Sequence, residues 1–444
     1  MLLTGTPAAG AIPPPRADAA ALPADPAPGG AAMEQRTQCT ATSLRPGTDV
    51  RAVPPSQAML DLPDAWRFSR GEGQTVAVID TGVQPGPRLP NVEPGGDYLA
   101  ATDGLTDCDG HGTLVAGLIA GQPGPDGFSG VAPRARLVSL RQNSANFAPR
   151  ATGGDLTGVR IATDVATLAR AVVHAADLGA RIITVAVVTC LAADEQVDQA
   201  ALGAALRYAA VDKDAVIVAA AGNTGTSIAG TQCSANPLPD AGRPGDPRNW
   251  AGVTSVSIPS VWQPYVLSVG AVGSSGAPSR FSMAGPWVGI GSPGENVVSV
   301  SNAPGGGLAD GVPGNDGTLL PINGTSYAAA YVSGVAALVR SRFPELSAAQ
   351  VIDRLTRTAR QSARTPSNLV GAGTVDPVAA LTWELPARAA DEAPTRPVAA
   401  PPEPAPADAT PRTVALAGTG VLAVVAALAA LQIRAIRRRK DLSS

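Results

Sequence analysis

Three residues of this chain have the types that nucleophilic hydrolysis needs: a carboxylate at Asp80, an imidazole at His111 and a hydroxyl at Ser326. A serine hydroxyl becomes a nucleophile when a base takes its proton, and the base works when a carboxylate fixes its tautomer. The chain has 2 histidines, so histidine-dependent chemistry falls to His111 or His174. His111 lies between Gly110 and Gly112 in DCDGHGTLVAGLIAG, just where a helical pattern begins. His174 takes a regular position inside ATLARAVVHAADLG, the place of a packed or surface helix histidine. Asp80 closes the hydrophobic run TVAVID and precedes a Thr-Gly turn. Ser326 heads a small-residue helix in NGTSYAAAYVSGVAALV. Taken singly, Asp80 is ordinarily read as a strand-end cap or turn residue and Ser326 as a helix N-cap.

Together they are more specific. The order Asp, His, Ser differs from that of α/β-hydrolases and of chymotrypsin-like barrels, and no G-x-S-x-G elbow surrounds Ser326. Asn223, in VIVAAAGNTG, follows a hydrophobic run, and its amide is placed to donate to a developing oxyanion. A left-handed turn asparagine beside Gly222 and Gly225 fits that position equally well.

These residues need a scaffold that brings distant segments together. TVAVID (75–80), ARLVSL (135–140), RIITVAVV (181–188), AVIVAAA (215–221) and VLSVGAV (266–272) read as strands buried on both faces. LVAGLIAG, DVATLARAVVHAADLG and VDQAALGAALRYAAVD between them carry helical periodicity. Strands alternating with helices predict an α/β body with a mostly parallel sheet and helices on both faces. Sites in such sheets form at the carboxyl ends of the strands, where Asp80 falls.

Of 444 residues, 16% are charged, and the net charge is −3, which excludes a domain-wide basic footprint for nucleic acid. Cys39, Cys108, Cys190 and Cys233 are dispersed with no C-x-x-C pair, so a zinc ribbon or thioredoxin motif is not expected; in an exported protein they suggest two disulfides. With 2 histidines a His-rich metal site is not expected, and neither metal nor cofactor is assigned.

Both chain ends bear on where the body lies. Residues 413–433 carry no charge and, as a helix, would span roughly 31 Å, close to the ~30 Å hydrocarbon core. The basic run RAIRRRK follows, a cytoplasmic retention signal, so the expectation is a single-pass anchor with the body on the extracytoplasmic side. Residues 386–412 hold 8 Pro and 9 Ala and read as an extended linker. Export requires an N-terminal signal, yet MLLTGTPAAGAIPPP lacks a basic start, so the expectation is a start site set downstream of the true one. The predicted organisation is a Pro/Ala-rich segment (1–32), an extension wrapping the body (33–70), a catalytic domain (71–385), a linker (386–412), a transmembrane helix (413–433) and a basic tail (434–444).

VAVIDTGV, DGHGTLVAGLIAG, GVAP, AAAGN and NGTSYAAA, in that order over residues 60–383, resemble the signature blocks of subtilisin-like serine proteases. The resemblance implies a subtilisin-like three-layer fold, Asp80, His111 and Ser326 as catalytic triad, and Asn223 as oxyanion donor. A narrower resemblance is to the mycosins, membrane-anchored subtilases associated with type VII secretion. It rests on MEQRTQC, PSQAMLDLPDAWRFSRGEGQTVAVIDTGV, Cys108 beside the His motif, the Pro-rich linker and the single C-terminal helix. It implies peptide substrates, type VII secretion membrane components as partners, and the pairing Cys39–Cys108 with Cys190–Cys233. That pairing also follows if the segments after strands 181–188 and 215–221 emerge side by side, which leaves Cys39 for Cys108.

The chain departs from the subtilase pattern in places. Val187 and Val188 stand where small residues are usual, which bears on cleft shape, and Ala330 and Tyr331 replace the Pro and the His or Val that the family favours after the serine. No clear acidic cluster for calcium is visible. The polar stretch 142–160 reads as a lid or as an inert surface loop. Besides a serine endopeptidase, the sequence admits a structural subunit of a secretion membrane complex, or a protease fold without turnover.

Overall fold

The computed structural model describes residues 14–29, 33–150, 155–225, 233–239, 242–243, 245–314, 316–360, 366–386 and 410–441. It divides into a body, Met1–Leu385, and a C-terminal unit, Pro386–Ser444.

The body is built on a 7-stranded sheet. Its strands are β1 (Thr75–Asp80), β2 (Val92–Asp97), β3 (Arg136–Arg141), β4 (Ile182–Val185), β5 (Val216–Ala220), β6 (Val266–Val272) and β7 (Val288–Pro293). Their order is β7-β6-β5-β4-β1-β3-β2, and every neighbouring pair is parallel. Successive strand residues point to opposite faces, and every residue of β1, β4, β5 and β6 is buried, so both faces are covered. The chain first builds β2 and β3 on one side of β1 and then places β4 on the other. Strand order therefore reverses at β1, which opens a crevice at its carboxyl end.

Four helices serve the sheet: α1 (His111–Ala120), α2 (Leu156–Asp177), α3 (Ala200–Arg207) and α4 (Thr325–Arg342). All of α1, and α4 from Thr325 to Arg340, are buried, as helices apolar around their whole circumference must be. The pair pack together, with α4 lying on β4 to β7, while α2 packs with α3 and contacts β1, β3 and β4.

Runs 75–80 and 266–272 are strands as expected, but 181–188 is not a single strand. β4 stops at Val185, and Thr189–Ala192 turns away to pair antiparallel with Ser255–Ile258. Val187 and Val188 remain buried beyond the break, so composition does not mark it. The edge strands β2 and β7, VEPGGD and VGIGSP, escape sequence reading because their Gly and Pro break any strand pattern, and edges tolerate both.

The segment before β1 runs over the body at several fixed points. Met33–Gln35 pairs antiparallel with Phe147–Pro149, Cys39 is bonded to Cys108, and Ser43 bridges to Gly311. Arg45 Nε donates to the buried Asp310 carboxylate at 3.1 Å, and Ser56 shares a 2.9 Å hydrogen bond with the Tyr331 hydroxyl. The polar stretch after β3 thus serves as a docking strand for this segment; residues 151–154 within it lie outside the described residues.

In the C-terminal unit, Thr410–Asp441 is one helix, α5, with an apolar segment Ala415–Ala435 of mean hydropathy 2.1. The segment is long and apolar enough to cross a membrane. The helix begins inside the stretch expected as linker and continues through the basic cluster. Residues 387–409, most of the expected linker, and 1–13 and 30–32 of the N-terminal segment lie outside the described residues.

Candidate active site

Asp80 ends β1 at the crevice, with its side chain fully buried. Its Oδ1 accepts the Thr81 N–H at 2.7 Å and lies 2.7 Å from His111 Nδ1. Its Oδ2 has no hydrogen-bond partner among the described residues. His111 is the first residue of α1, behind Gly110, which takes a left-handed φ of 78° to turn the chain into the helix. Gly112 makes the close approach possible: a Cβ there would collide with the Gly82 carbonyl and lie 3.2 Å from the Asp80 Cβ. The other ring nitrogen, Nε2, lies 2.9 Å from Ser326 Oγ. A carboxylate facing Nδ1 keeps the proton on that nitrogen, which leaves Nε2 to accept from the hydroxyl.

Two buried carboxylates tie down the loop that delivers His111. Asp107 accepts from Thr81 Oγ1 at 2.9 Å, from Thr113 N and Oγ1 at 2.8 and 2.6 Å, and from the N–H groups of Gly110 and Asp109 at 2.8 and 3.1 Å. Asp109 accepts from Ser144 Oγ at 2.5 Å and Ala145 N at 2.7 Å, which fastens the loop to the segment after β3. Cys108 sits between them and is bonded to the exposed Cys39.

Ser326 is delivered by the first turn of α4, where helix N–H groups have no partner within the helix. Thr325, just before it, donates from both N and Oγ1 to Asn223 Oδ1 at 3.0 Å. A backbone N–H can only donate, so the amide oxygen faces Thr325 and the Nδ2 group is left as donor. Thr325 Oγ1 also accepts the Gly222 N–H at 3.1 Å. Gly222 has φ 108°, and a Cβ there would lie 2.6 Å from Cys233 Sγ and 3.1 Å from Met283 Sδ. The Cys190–Cys233 bridge therefore lies directly against the turn that presents Asn223.

Burial lowers the His111 pKa, but the charge and hydrogen bond of Asp80, with the Asp107 and Asp109 carboxylates, outweigh it and hold the imidazole above its ordinary value. Burial raises Asp107 to about 6 against the hydrogen bonds it accepts, and raises Asp109 as well. The arrangement suits one chemistry: removal of a serine proton by an imidazole whose positive charge is then matched by a buried carboxylate.

Four of the residues singled out by sequence thus meet at one place, Asp80, His111 and Ser326 directly and Asn223 through Thr325. His174 does not join them. It lies half-buried on α2, with a hydrogen bond to the Gly95 backbone, and burial lowers its pKa. The sequence reading missed Asp107, Thr325 and Tyr327; the available signal was their place inside the same motif blocks, DCDGHGT and NGTSYAAA.

The subtilase family, peptidase S8, matches residues 71–373. Mycosin-3 of Mycobacterium tuberculosis is 63% identical over 439 residues, covering 98% of this chain and 95% of that protein. The chain belongs to the subtilases and, among them, to the mycosins. It is a serine endopeptidase. Among solved structures, this subtilase is similar to the MycP3 protease from the type VII (ESX-3) secretion system, with 67% identity and a TM-score of 0.81 over 84% of this chain and 100% of that one. It is also similar to a chain in an intact ESX-5 inner membrane complex, with 48% identity and a TM-score of 0.82 over 94% and 99% of the two chains. Among the described residues of this mycosin, no group of three or more His, Cys, Asp or Glu side chains is placed to hold a metal ion.

Proposed function

We propose that Ser326 is the nucleophile, His111 the general base, Asp80 the group that orients it, and Asn223 the oxyanion donor of this peptidase. The carrying observation is the hydrogen-bonded chain Asp80 Oδ1–His111 Nδ1 and His111 Nε2–Ser326 Oγ, at 2.7 and 2.9 Å. Ser326 Oγ bonds to the scissile carbonyl carbon as its proton passes to His111 Nε2. The tetrahedral oxyanion accepts from Asn223 Nδ2 and from the Ser326 N–H in the first turn of α4. The imidazolium proton then goes to the leaving amine as the C–N bond breaks. Water, deprotonated by the same Nε2, hydrolyses the acyl-enzyme and returns the proton to Ser326.

The enzyme acts at a membrane, as a subunit of a type VII secretion complex. Support comes from relatives in an intact ESX-5 inner membrane complex and in a periplasmic assembly of it. The apolar helix and its basic flank support a single-pass anchor with the body on the extracytoplasmic side. In this organisation residues 33–70 form an extension on the catalytic domain, 71–385, and 386–412 a linker. A structural role in the complex is the second reading, favoured by the same complexes.

A serine-reactive organophosphorus probe on the purified full chain tests the chemistry. Labelling at Ser326 that disappears in Ser326→Ala and His111→Ala is expected; labelling that persists in His111→Ala at neutral pH would overturn the assignment of the base. Secretion sustained by an unreactive Ser326→Ala chain would favour the structural role. Protease added outside spheroplasts is expected to digest the body and spare a C-terminal fragment, and a protected body with an accessible tail would invert the topology.

A further inference from the structure

Tyr327 makes a contact at this site that the hydrogen-bonded chain does not use. It follows Ser326 in α4, and its ring centroid lies 5.4 Å from that of His111 at an interplanar angle of 44°. The separation falls within the range of attractive aromatic pairs. The side chain is 1% exposed, and its hydroxyl has no hydrogen-bond partner among the described residues. Burial, with the Asp80 and Asp107 charges, raises its pKa and keeps the phenol neutral. An unpaired buried hydroxyl disfavours folding, so the feature that serves the site is the ring.

The two nitrogens of His111 are engaged at their edges by Asp80 and Ser326. Those bonds fix the ring in its own plane but resist tilting out of it weakly. A side chain packed on the imidazole supplies that resistance, and an aromatic one also attracts the ring when it is positive. The charges facing His111 are Asp80 on β1 and Asp107 and Asp109 in the loop before α1, with neutral Tyr327 facing it from α4. We propose that Tyr327 is a positioning residue for the base: its ring braces the imidazole between Asp80 and Ser326 and favours the imidazolium that forms as the serine proton is taken. The proposal rests on His111 being the base.

The test uses the full chain in detergent and diisopropyl fluorophosphate as probe, with labelling rate measured against pH. Tyr327→Phe keeps the ring and should label within about twofold of the unmodified protein. Tyr327→Leu and Tyr327→Met remove the ring at similar bulk, and one stands in if the other fails to fold. Each should slow the high-pH plateau about tenfold and move the acid limb down by roughly half a pH unit. The His111 titration is read independently by NMR of ring-labelled histidine in Ser326→Ala chains, with His174→Gln to assign the signals. There the Leu and Met variants should titrate lower than the Tyr chain. An unchanged His111 titration in both would overturn the proposal, as would Tyr327→Phe behaving like Tyr327→Leu. Failure of the base assignment looks different: labelling survives His111→Ala, while the NMR titration still reports on the ring contact.

Discussion

The two disulfides lie on either side of the candidate site in unlike surroundings. Cys39 is exposed, and its partner Cys108 stands between Asp107 and Asp109 in a loop fixed by side-chain and backbone hydrogen bonds. Cys190 and Cys233 belong instead to the main hydrophobic core, beside Met283 and against Gly222. The closed segments, 69 and 43 residues, are similar enough that chain entropy assigns each bridge about 4 kcal/mol. Entropy does not distinguish them, so any difference comes from what each one touches. The bridge on the histidine side is set among buried hydrogen bonds, and the bridge on the asparagine side in packed apolar core. Damage to the first should therefore move proton chemistry, and damage to the second should move stability and oxyanion binding.

The largest effect expected is at Asp80→Asn, where the labelling rate should fall by about 10⁴ because the base loses its tautomer control. In the unmodified protein the acid limb should lie above the ordinary imidazole value of 6.5, since the base works when neutral and its pKa is raised. The linked stability has the matching sign: a raised histidine pKa favours the fold at low pH, and that contribution fades as pH climbs through the folded value. Asp80→Asn should move the limb down; a limb that stays in place would show that another carboxylate sets it.

Removing the bridges comes next. Cys39→Ser with Cys108→Ser, and Cys190→Ala with Cys233→Ala, should each lose about 4 kcal/mol in denaturant unfolding. Only the first pair should also move the acid limb of labelling in the folded protein, because it frees the loop that carries His111. An equal shift of the limb by both pairs would erase the distinction between the two sides. At Asn223→Ala the rate should fall by about 10²–10³, the scale seen for an oxyanion asparagine, with the acid limb unmoved. A shifted limb would place Asn223 on the proton pathway instead. Smallest is Gly222→Ala, which forces a side chain into a positive φ and against Cys233 Sγ; a loss of about 1–3 kcal/mol is expected in thermal unfolding, again with the limb unmoved.

The parts legible along the chain are those whose signals are local. Buried strands announce themselves as apolar runs such as TVAVID, Asp80 is legible as the polar residue that ends one, His111 as the residue that opens a helix after glycine and Ser326 as one at the start of a small-residue helix. Periodicity and turn chemistry are properties of neighbours, so they survive in a one-dimensional reading. What depends on residues far apart is set only when the chain is folded. Asn223 is oriented by Thr325, 102 residues away, and Ser326 reaches His111 across 215. Phe147–Pro149, in the stretch after β3, is paired with Met33–Gln35, a segment more than a hundred residues away. β4 stops at Val185 inside a nearly apolar run, because the chain beyond it stays buried off the sheet. Hydrogen bonds and packing between remote segments leave no period in the sequence, and their geometry exists only once the sheet has set the distances.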